Sequence, residues 1–156
     1  MTWQPHITVA AVVQQAGRFL LVKERSAEGV PVINQPAGHL QEGETLIQAL
    51  VRETLEETRW RVEPEAILSF NLYTSPSNQV TYFRCNFLAK PITEDKSAVL
   101  DKDIEAVLWL SEAELLQRPE NLRSPMVAKA IKDFQSGQRY PLSLIQHFIA
   151  NHEHER

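Results

Sequence analysis

Hydrophobic positions change rhythm several times along this chain, and the changes mark out its elements. Ile7 to Val13 is apolar but for Thr8 and rich in β-branched residues, the pattern of a buried strand. Gln14 to Gly17 is turn-like, and Arg18 to Lys23 then alternates, which predicts a second strand as a hairpin partner. Glu24 to Val32 is polar and contains Gly29 and Pro31, so a loop is expected, running on into Asn34-Gln35-Pro36-Ala37-Gly38 and Gly43. Ile47, Leu50, Val51, Thr54 and Leu55 recur at helical spacing and give one face able to pack on a sheet. Thr45 is the expected N-cap of that helix, with Gln48 completing a capping box. Beyond it, Trp60 to Val62 reads as a connection turned by Glu63-Pro64, and strands are expected over Ala66 to Tyr73 and Gln79 to Lys90, around a turn at Ser75 to Ser77. Pro91 to Lys102 reads as loop and Ala106 to Leu110 as a short strand. Ser111 caps a further helix, with Glu114 at the box position, and Ser124-Pro125 opens another that runs to about Phe134. Strands with interspersed helices, and no repeat or linker, indicate one mixed α/β (α+β) domain.

Composition narrows the class of partner. At 156 residues the chain is one domain, long enough to bury about 70% of its unfolded surface. Its net charge of −4 argues against nonspecific binding to nucleic acid or an anionic membrane. Cys85 is the one cysteine, which excludes an intrachain disulfide and fits a reducing, cytoplasmic setting. Ile7 to Val13 is too short to span a bilayer and follows His6 rather than a basic region, so neither a membrane anchor nor a signal peptide is expected.

The candidate chemistry lies on the first helix. Glu53, Glu56 and Glu57 fall on one face, next to Arg52. Like charges so placed repel, and a hard divalent cation turns the repulsion into binding, since carboxylate oxygens suit Mg²⁺ or Mn²⁺ better than zinc or copper. Arg52 among these acids can orient one of them by a bidentate contact. The glycine-containing loop just upstream can bring backbone close to an ion or a phosphate, and the Ala37 carbonyl is a candidate hard ligand. Glu44, near the positive end of the helix dipole, reads as a supporting acid. A second acidic group, Asp101, Asp103 and Glu105, precedes the strand that ends in Trp109-Leu110. It is either a solvated loop or a mobile one whose Asp103 swings over the site as a metal ligand or base. Arg84, in a run alternating with Tyr82, and Arg123 with Ser124, beside a helix start, are candidate phosphate contacts; the alternative for each arginine is a surface ion pair. His39 is a candidate for phosphate or for loop capping, and Trp3, His6, Trp60, Tyr73 and Tyr82 are candidates to stack on a base or to fill the core.

The segment from Gly38 to Trp60, GHLQEGETLIQALVRETLEETRW, resembles the signature of the Nudix hydrolases, G-x5-E-x7-R-E-U-x-E-E-x-G-U, where U is bulky and apolar. Gly38, Glu44, Arg52, Glu53, Glu56 and Glu57 fall on matching positions and Trp60 fills the last U. Thr54 stands where a bulky aliphatic is usual, and Arg59 where the family has the glycine that ends the helix. PHITVAAVV, INQPAGHL and NLRSPMVAKAIKDFQSGQRYPL extend the likeness to the NudJ-type phosphatases within that family, over roughly Pro5 to Ile145. The resemblance implies a mixed β-sheet sandwiched between helices in a domain over 1–145, with a polar tail over 146–156. That tail contains His147, His152 and His154, too irregularly spaced to read as a metal site.

It further implies Mg²⁺-dependent hydrolysis, with Mn²⁺ as the alternative ion, of small organic pyrophosphates: hydroxymethylpyrimidine pyrophosphate, thiamin pyrophosphate and nucleoside di- and triphosphates. Glu53, Glu56 and Glu57, with the Ala37 carbonyl and Asp103, are the expected metal ligands. Glu53 leads as general base, though the sequence does not separate it from Glu56, and Arg52 completes the catalytic set. Gly38, His39, Arg84, Arg123 and Ser124 are the expected substrate contacts. The expected partner is a small-molecule pyrophosphate, with no nucleic acid and no membrane, and the chain a monomer or homodimer. The rival readings are a Nudix hydrolase of other specificity, such as oxidised nucleotides or ADP-ribose, and a Nudix-like binding module without turnover.

Overall fold

The computed structural model describes residues 2–148; the rest of the tail, with His152 and His154, lies outside them. In chain order the elements are β1 (His6–Val12), β2 (Gln14–Gln15), β3 (Arg18–Arg25), β4 (Pro31–Asn34), β5 (Ala37–His39), α1 (Leu46–Thr58), β6 (Trp60–Thr74), β7 (Thr81–Glu94), β8 (Ile104–Leu110), α2 (Glu112–Leu116), β9 (Asn121–Leu122) and α3 (Pro125–Gln135), followed by a 3-10 turn at Leu142–Leu144. One sheet has the order β5-β1-β7-β6, with β1 parallel to β7 and the outer pairs antiparallel. In the other, β3 pairs antiparallel with β2, β4 and β8, and β4 pairs parallel with β9. This is the mixed α+β domain that the sequence indicates.

The apolar run from Val9 to Val12 in β1 has a direct cause. Val9 and Ala11 pack with α1 residues Ala49 and Leu50, while Val12 packs on the opposite side with Leu21, Ile33 and Ile131 of α3. A strand covered on both faces has no polar side to alternate. Fully burying Leu50 contributes roughly 1.5–3 kcal/mol. The polar end of the same helix face is satisfied internally. The Thr54 and Thr58 hydroxyls donate to the carbonyls of Leu50 and Thr54 at 2.7 and 2.6 Å. Thr54 thus stands in the aliphatic position, fully buried, without an orphaned group.

All three helix caps fall where the sequence puts them. Thr45 and Ser111 form reciprocal capping boxes with Gln48 and Glu114, and Ser124 caps α3 with Pro125 in the first turn. The strands depart further from expectation. The first two expected strands are not partners: after Val12 the chain changes sheets, and β3 folds back on β2 through Ala16 and Gly17, both at positive φ, in a two-residue hairpin turn. Glu24 and Arg25 continue β3, Pro31 to Asn34 is β4 rather than loop, and Ala37 to His39 becomes β5 by pairing with β1. Trp60 to Pro64 is not a connection but the start of β6, which pairs with β7 as far as Glu94. Pro64 is tolerated because β6 is an edge strand with register shifts around that position. Part of that edge is covered, since Ile67 and Tyr140 exchange backbone hydrogen bonds at 2.9 Å in both directions. Of the expected tail, His147 accepts from the Leu46 N–H at the start of α1, at 3.2 Å.

Candidate active site

β5 lies against α1, and Gly38 is where they meet. A Cβ built on Gly38 would overlap the Glu53 carboxylate, so only a glycine lets the strand approach this closely. Its neighbour Ala37 donates its N–H to Glu57 Oε1 at 2.7 Å. Pairing β5 with β1 in turn fixes the depth of both contacts, through Val9 opposite Gly38 and Ala10 opposite Ala37.

Arg52 ties the acids together. Its Nε and one terminal nitrogen grip Glu44 at 3.0 and 2.6 Å, a bidentate pair, and the same nitrogen donates to the His39 carbonyl at 3.0 Å. The other terminal nitrogen donates to Glu53 at 2.7 Å and to Glu56 at 3.2 Å. Arg52 holds the Glu44 carboxyl below the usual carboxylate range, and Glu44 also accepts from the Gln41 N–H at 2.7 Å. Burial has the opposite effect on the acids further along the face. It raises Glu53 despite Arg52, and pushes Glu57, only 7% exposed, up to about 9.

Carboxylate oxygens of Glu53, Glu56 and Asp101 lie within 4.8 Å of one another. The acid that joins the helix pair is therefore Asp101, while Asp103 sits on the wall of the adjoining cavity. The reason is local: the Asp101 N–H donates to the Glu56 carbonyl at 3.0 Å, using a backbone acceptor that the end of α1 leaves free. Glu57 stands beside this trio rather than in it, engaged by Ala37 and facing the same cavity. The donor set is carboxylate oxygen throughout, with no thiol and no imidazole, which suits a hard divalent cation.

The cavity has a volume of about 660 Å³, and Glu24, Arg25, Glu57, Asp101, Lys102 and Arg123 contribute to its walls. That is the size of a small-molecule site. None of the aromatic candidates lines it. Trp60 packs edge-on against Trp109 beside the core of α1, and His6, His39 and Tyr82 form a cluster in which His6 Nδ1 lies 3.0 Å from His39 Nε2. His39 thus meets the acids through its carbonyl, by way of Arg52. Ser124 Oγ accepts from the Met126 N–H, a capping role, and Ser124 is buried beside the cavity wall residue Arg123 without lining the cavity itself.

Arg84 and Arg123 belong to one network that the sequence does not reveal, buried at Glu24, Asn34, Gln35 and Arg84 and open to solvent at Arg123. Arg123 donates to Glu24 at 3.0 Å, Asn34 donates to the same Glu24 oxygen at 2.9 Å, and Arg84 donates to Gln35 at 2.8 Å and more weakly to Asn34. Arg84 is 4% exposed, its Nε has no protein partner, and burial lowers its pKa to about 10. One signal for Glu24 was in the chain: it continues the alternation of Leu20 and Val22, whose side chains are buried.

Comparisons with known proteins bear on the family and the fold. A family model described as NUDIX domain matches residues 4–131. Phosphatase NudJ of Escherichia coli is 40% identical over 146 residues, covering 94% of this chain and 94% of that protein, and Phosphatase NudJ of Shigella flexneri matches to the same extent. A NUDIX hydrolase from Nitrosomonas europaea superimposes with a TM-score of 0.91 at 38% identity, over 95% of this chain and 100% of that one. A MutT NUDIX hydrolase from Burkholderia pseudomallei superimposes with a TM-score of 0.70 at 25% identity, over 84% and 98%.

Proposed function

Since this chain belongs to the Nudix hydrolase family and is a phosphohydrolase, we propose that it cleaves the phosphoanhydride bond of small organic pyrophosphates with Mg²⁺, or Mn²⁺ in its place. The carrying observation is the convergence of Glu53, Glu56 and Asp101 beside a cavity that Arg123 also lines. Nudix hydrolases generally use divalent metals. When bound, such an ion neutralises phosphate charge and acidifies the attacking water.

The chain's own residues supply the rest. Glu53 serves as general base, Arg52 engages one of its oxygens, and burial raises its affinity for a proton. Arg52 also sets Glu56, and Glu44 sets Arg52. Glu57, one of whose oxygens accepts from the Ala37 N–H, would hold the ion with its other oxygen, and the Ala37 carbonyl and Asp103 would add further oxygen donors. Arg123 exchanges its contact with Glu24 for a phosphate oxygen, and Ser124 donates its hydroxyl alongside. Arg84, Gly38 and His39 support the substrate side, Arg84 by holding Gln35 and Asn34 behind the cavity wall.

The preferred substrates are hydroxymethylpyrimidine pyrophosphate, thiamin pyrophosphate and nucleoside di- and triphosphates. The likeness to Phosphatase NudJ supports this, because it extends through Asn121 to Leu142, beyond the acids. We take the catalytic domain as 1–145 and the tail as 146–156. Among the described residues no helix is long and apolar enough to cross a membrane. With the single cysteine and the acidic balance, that supports a cytoplasmic enzyme, monomeric or homodimeric, without nucleic acid as partner.

Mg²⁺ should raise the melting temperature relative to EDTA, since an ion bound to the native state alone adds about 2.7 kcal/mol at a hundredfold excess over its dissociation constant. The pH dependence gives a second readout. Glu57 has a folded pKa of about 9, so its stabilising protonation is complete below the unfolded value near 4.5 and is lost as pH rises through 9. The EDTA melting temperature should therefore fall between pH 5 and 9, and saturating Mg²⁺ should flatten the fall. Identical melts with and without Mg²⁺, and no binding by calorimetry, would remove the metal.

Arg123→Ala should lower kcat/KM about tenfold or more on diphosphates and triphosphates alike, the loss of a charge-assisted contact. The comparison uses hydroxymethylpyrimidine pyrophosphate, thiamin pyrophosphate, a nucleoside triphosphate and ADP-ribose. A preference of the wild type for ADP-ribose overturns the substrate reading, and a silent Arg123→Ala leaves that residue as a partner for Glu24 only.

A further inference from the structure

Arg59 occupies the position where the family signature has glycine, and it adopts the backbone that glycine would: φ is 66° and its N–H donates to the Leu55 carbonyl at 2.8 Å. A non-glycine residue is disfavoured in this left-handed conformation. Its side chain is not idle there. Nε donates to the Ala98 carbonyl at 2.7 Å, and the Arg59 carbonyl accepts from the Asp95 N–H at the same distance. Both contacts reach into the loop between β7 and β8. Three residues beyond Ala98, that loop delivers the Asp101 N–H to the Glu56 carbonyl and the Asp101 carboxylate to Glu53 and Glu56.

We propose that Arg59 is a positioning residue: its guanidinium clasps the 95–103 loop to the end of α1, so that Asp101 is already in place to complete the metal site. Without the clasp, the loop would be held to the helix end by the Asp95 and Asp101 amides and the longer Arg61–Asp95 contact at 3.5 Å. Asp101 would then have to be drawn in against its two acidic neighbours each time an ion arrived. The positive guanidinium at the negative end of the helix dipole also offsets part of the left-handed conformation. The inference rests on the metal reading above, and two separate readouts distinguish its failure from the failure of that reading.

The informative variant is Arg59→Gly, which suits the local φ and removes only the side chain. Hydrogen exchange in EDTA should show about tenfold lower protection of the Ala98 and Asp101 amides, the loss of one charge-assisted hydrogen bond, with the amides of β1 unchanged. The Mn²⁺ dissociation constant should rise about five- to tenfold, and Arg59→Lys should recover part of it, since lysine keeps the charge but not the planar fork. In an Asp101→Asn background, Arg59→Gly should change Mn²⁺ affinity less than about twofold, because both changes remove the same contribution. Unchanged protection at Ala98 and Asp101 overturns the clasp. Lost protection with unchanged Mn²⁺ affinity, or an equal effect in both backgrounds, overturns its link to the ion. If the wild-type protein binds no Mn²⁺, the metal reading falls and the role given to Arg59 falls with it.

Discussion

Replacing Glu53 by glutamine should lower kcat by about 10²–10⁴ at saturating metal, the usual effect of losing a general base. Glutamine keeps the length of the side chain and can still accept a hydrogen bond from Arg52, which reaches Glu53 at 2.7 Å, so the helix and its neighbours should stay in place. What disappears is basicity and one of the charges that converge with Glu56 and Asp101. Metal affinity should weaken too, so the assay must reach saturation before kcat is compared. Glu44→Gln is the control. Glu44 meets the cluster only through its bidentate grip on Arg52, so its loss should loosen the acids without removing one, and cost less. Wild-type turnover in Glu53→Gln would exclude Glu53 as base and as ligand, and a larger loss in Glu44→Gln would move the base to Glu44.

Gly38→Ala should be nearly as damaging, although the added methyl carries no chemistry. The new Cβ would fall on the Glu53 carboxylate, and neither side yields easily. The strand is pinned to β1 at Gly38 itself, and Glu53 is held by Arg52 and only 13% exposed. The helix is anchored by its capping box and by Leu50 in the core. The side chain of Glu53 must therefore leave its place, and a misplacement on the order of 1 Å in a catalytic group costs about 10²-fold in rate. Circular dichroism should remain native while kcat falls by that order. An active Gly38→Ala with unchanged metal affinity would show that the close approach of β5 has no bearing on turnover.

Signals that act over a few residues were legible in the sequence. Thr45, Ser111 and Ser124 announce their helices because a cap is decided by its own side chain and the next turn. The spacing of Glu53, Glu56 and Arg52 reads directly as one helical neighbourhood. Features decided by distant partners were not legible. Ala37-Gly38-His39 carries no strand pattern and becomes β5 only by lying against β1. Trp60 to Pro64 looks like a turn because of its proline, yet an edge strand with a register shift accepts it. Asp103 reads along the chain as the acid over the site, and one backbone hydrogen bond to Glu56 brings Asp101 there instead. Glu24, Asn34, Gln35 and Arg84 come from β3, β4, the segment that follows β4, and β7, so no local spacing announces their network.

Arg52 and its acids form a closed circuit. Apart from Asp101, every side chain in it comes from the single stretch between Ala37 and Glu57, whereas Glu24, Asn34, Arg84 and Arg123 are gathered from four separate places. Among the described residues no side-chain hydrogen bond joins the two groups. They feel each other through charge, as Glu24 does Glu57 and Glu57 does Arg84. Such separation would let a change of leaving group be explored on the dispersed residues while the acidic helix keeps its wiring, and what the two groups share is the cavity they both line and the charge balance around Glu57.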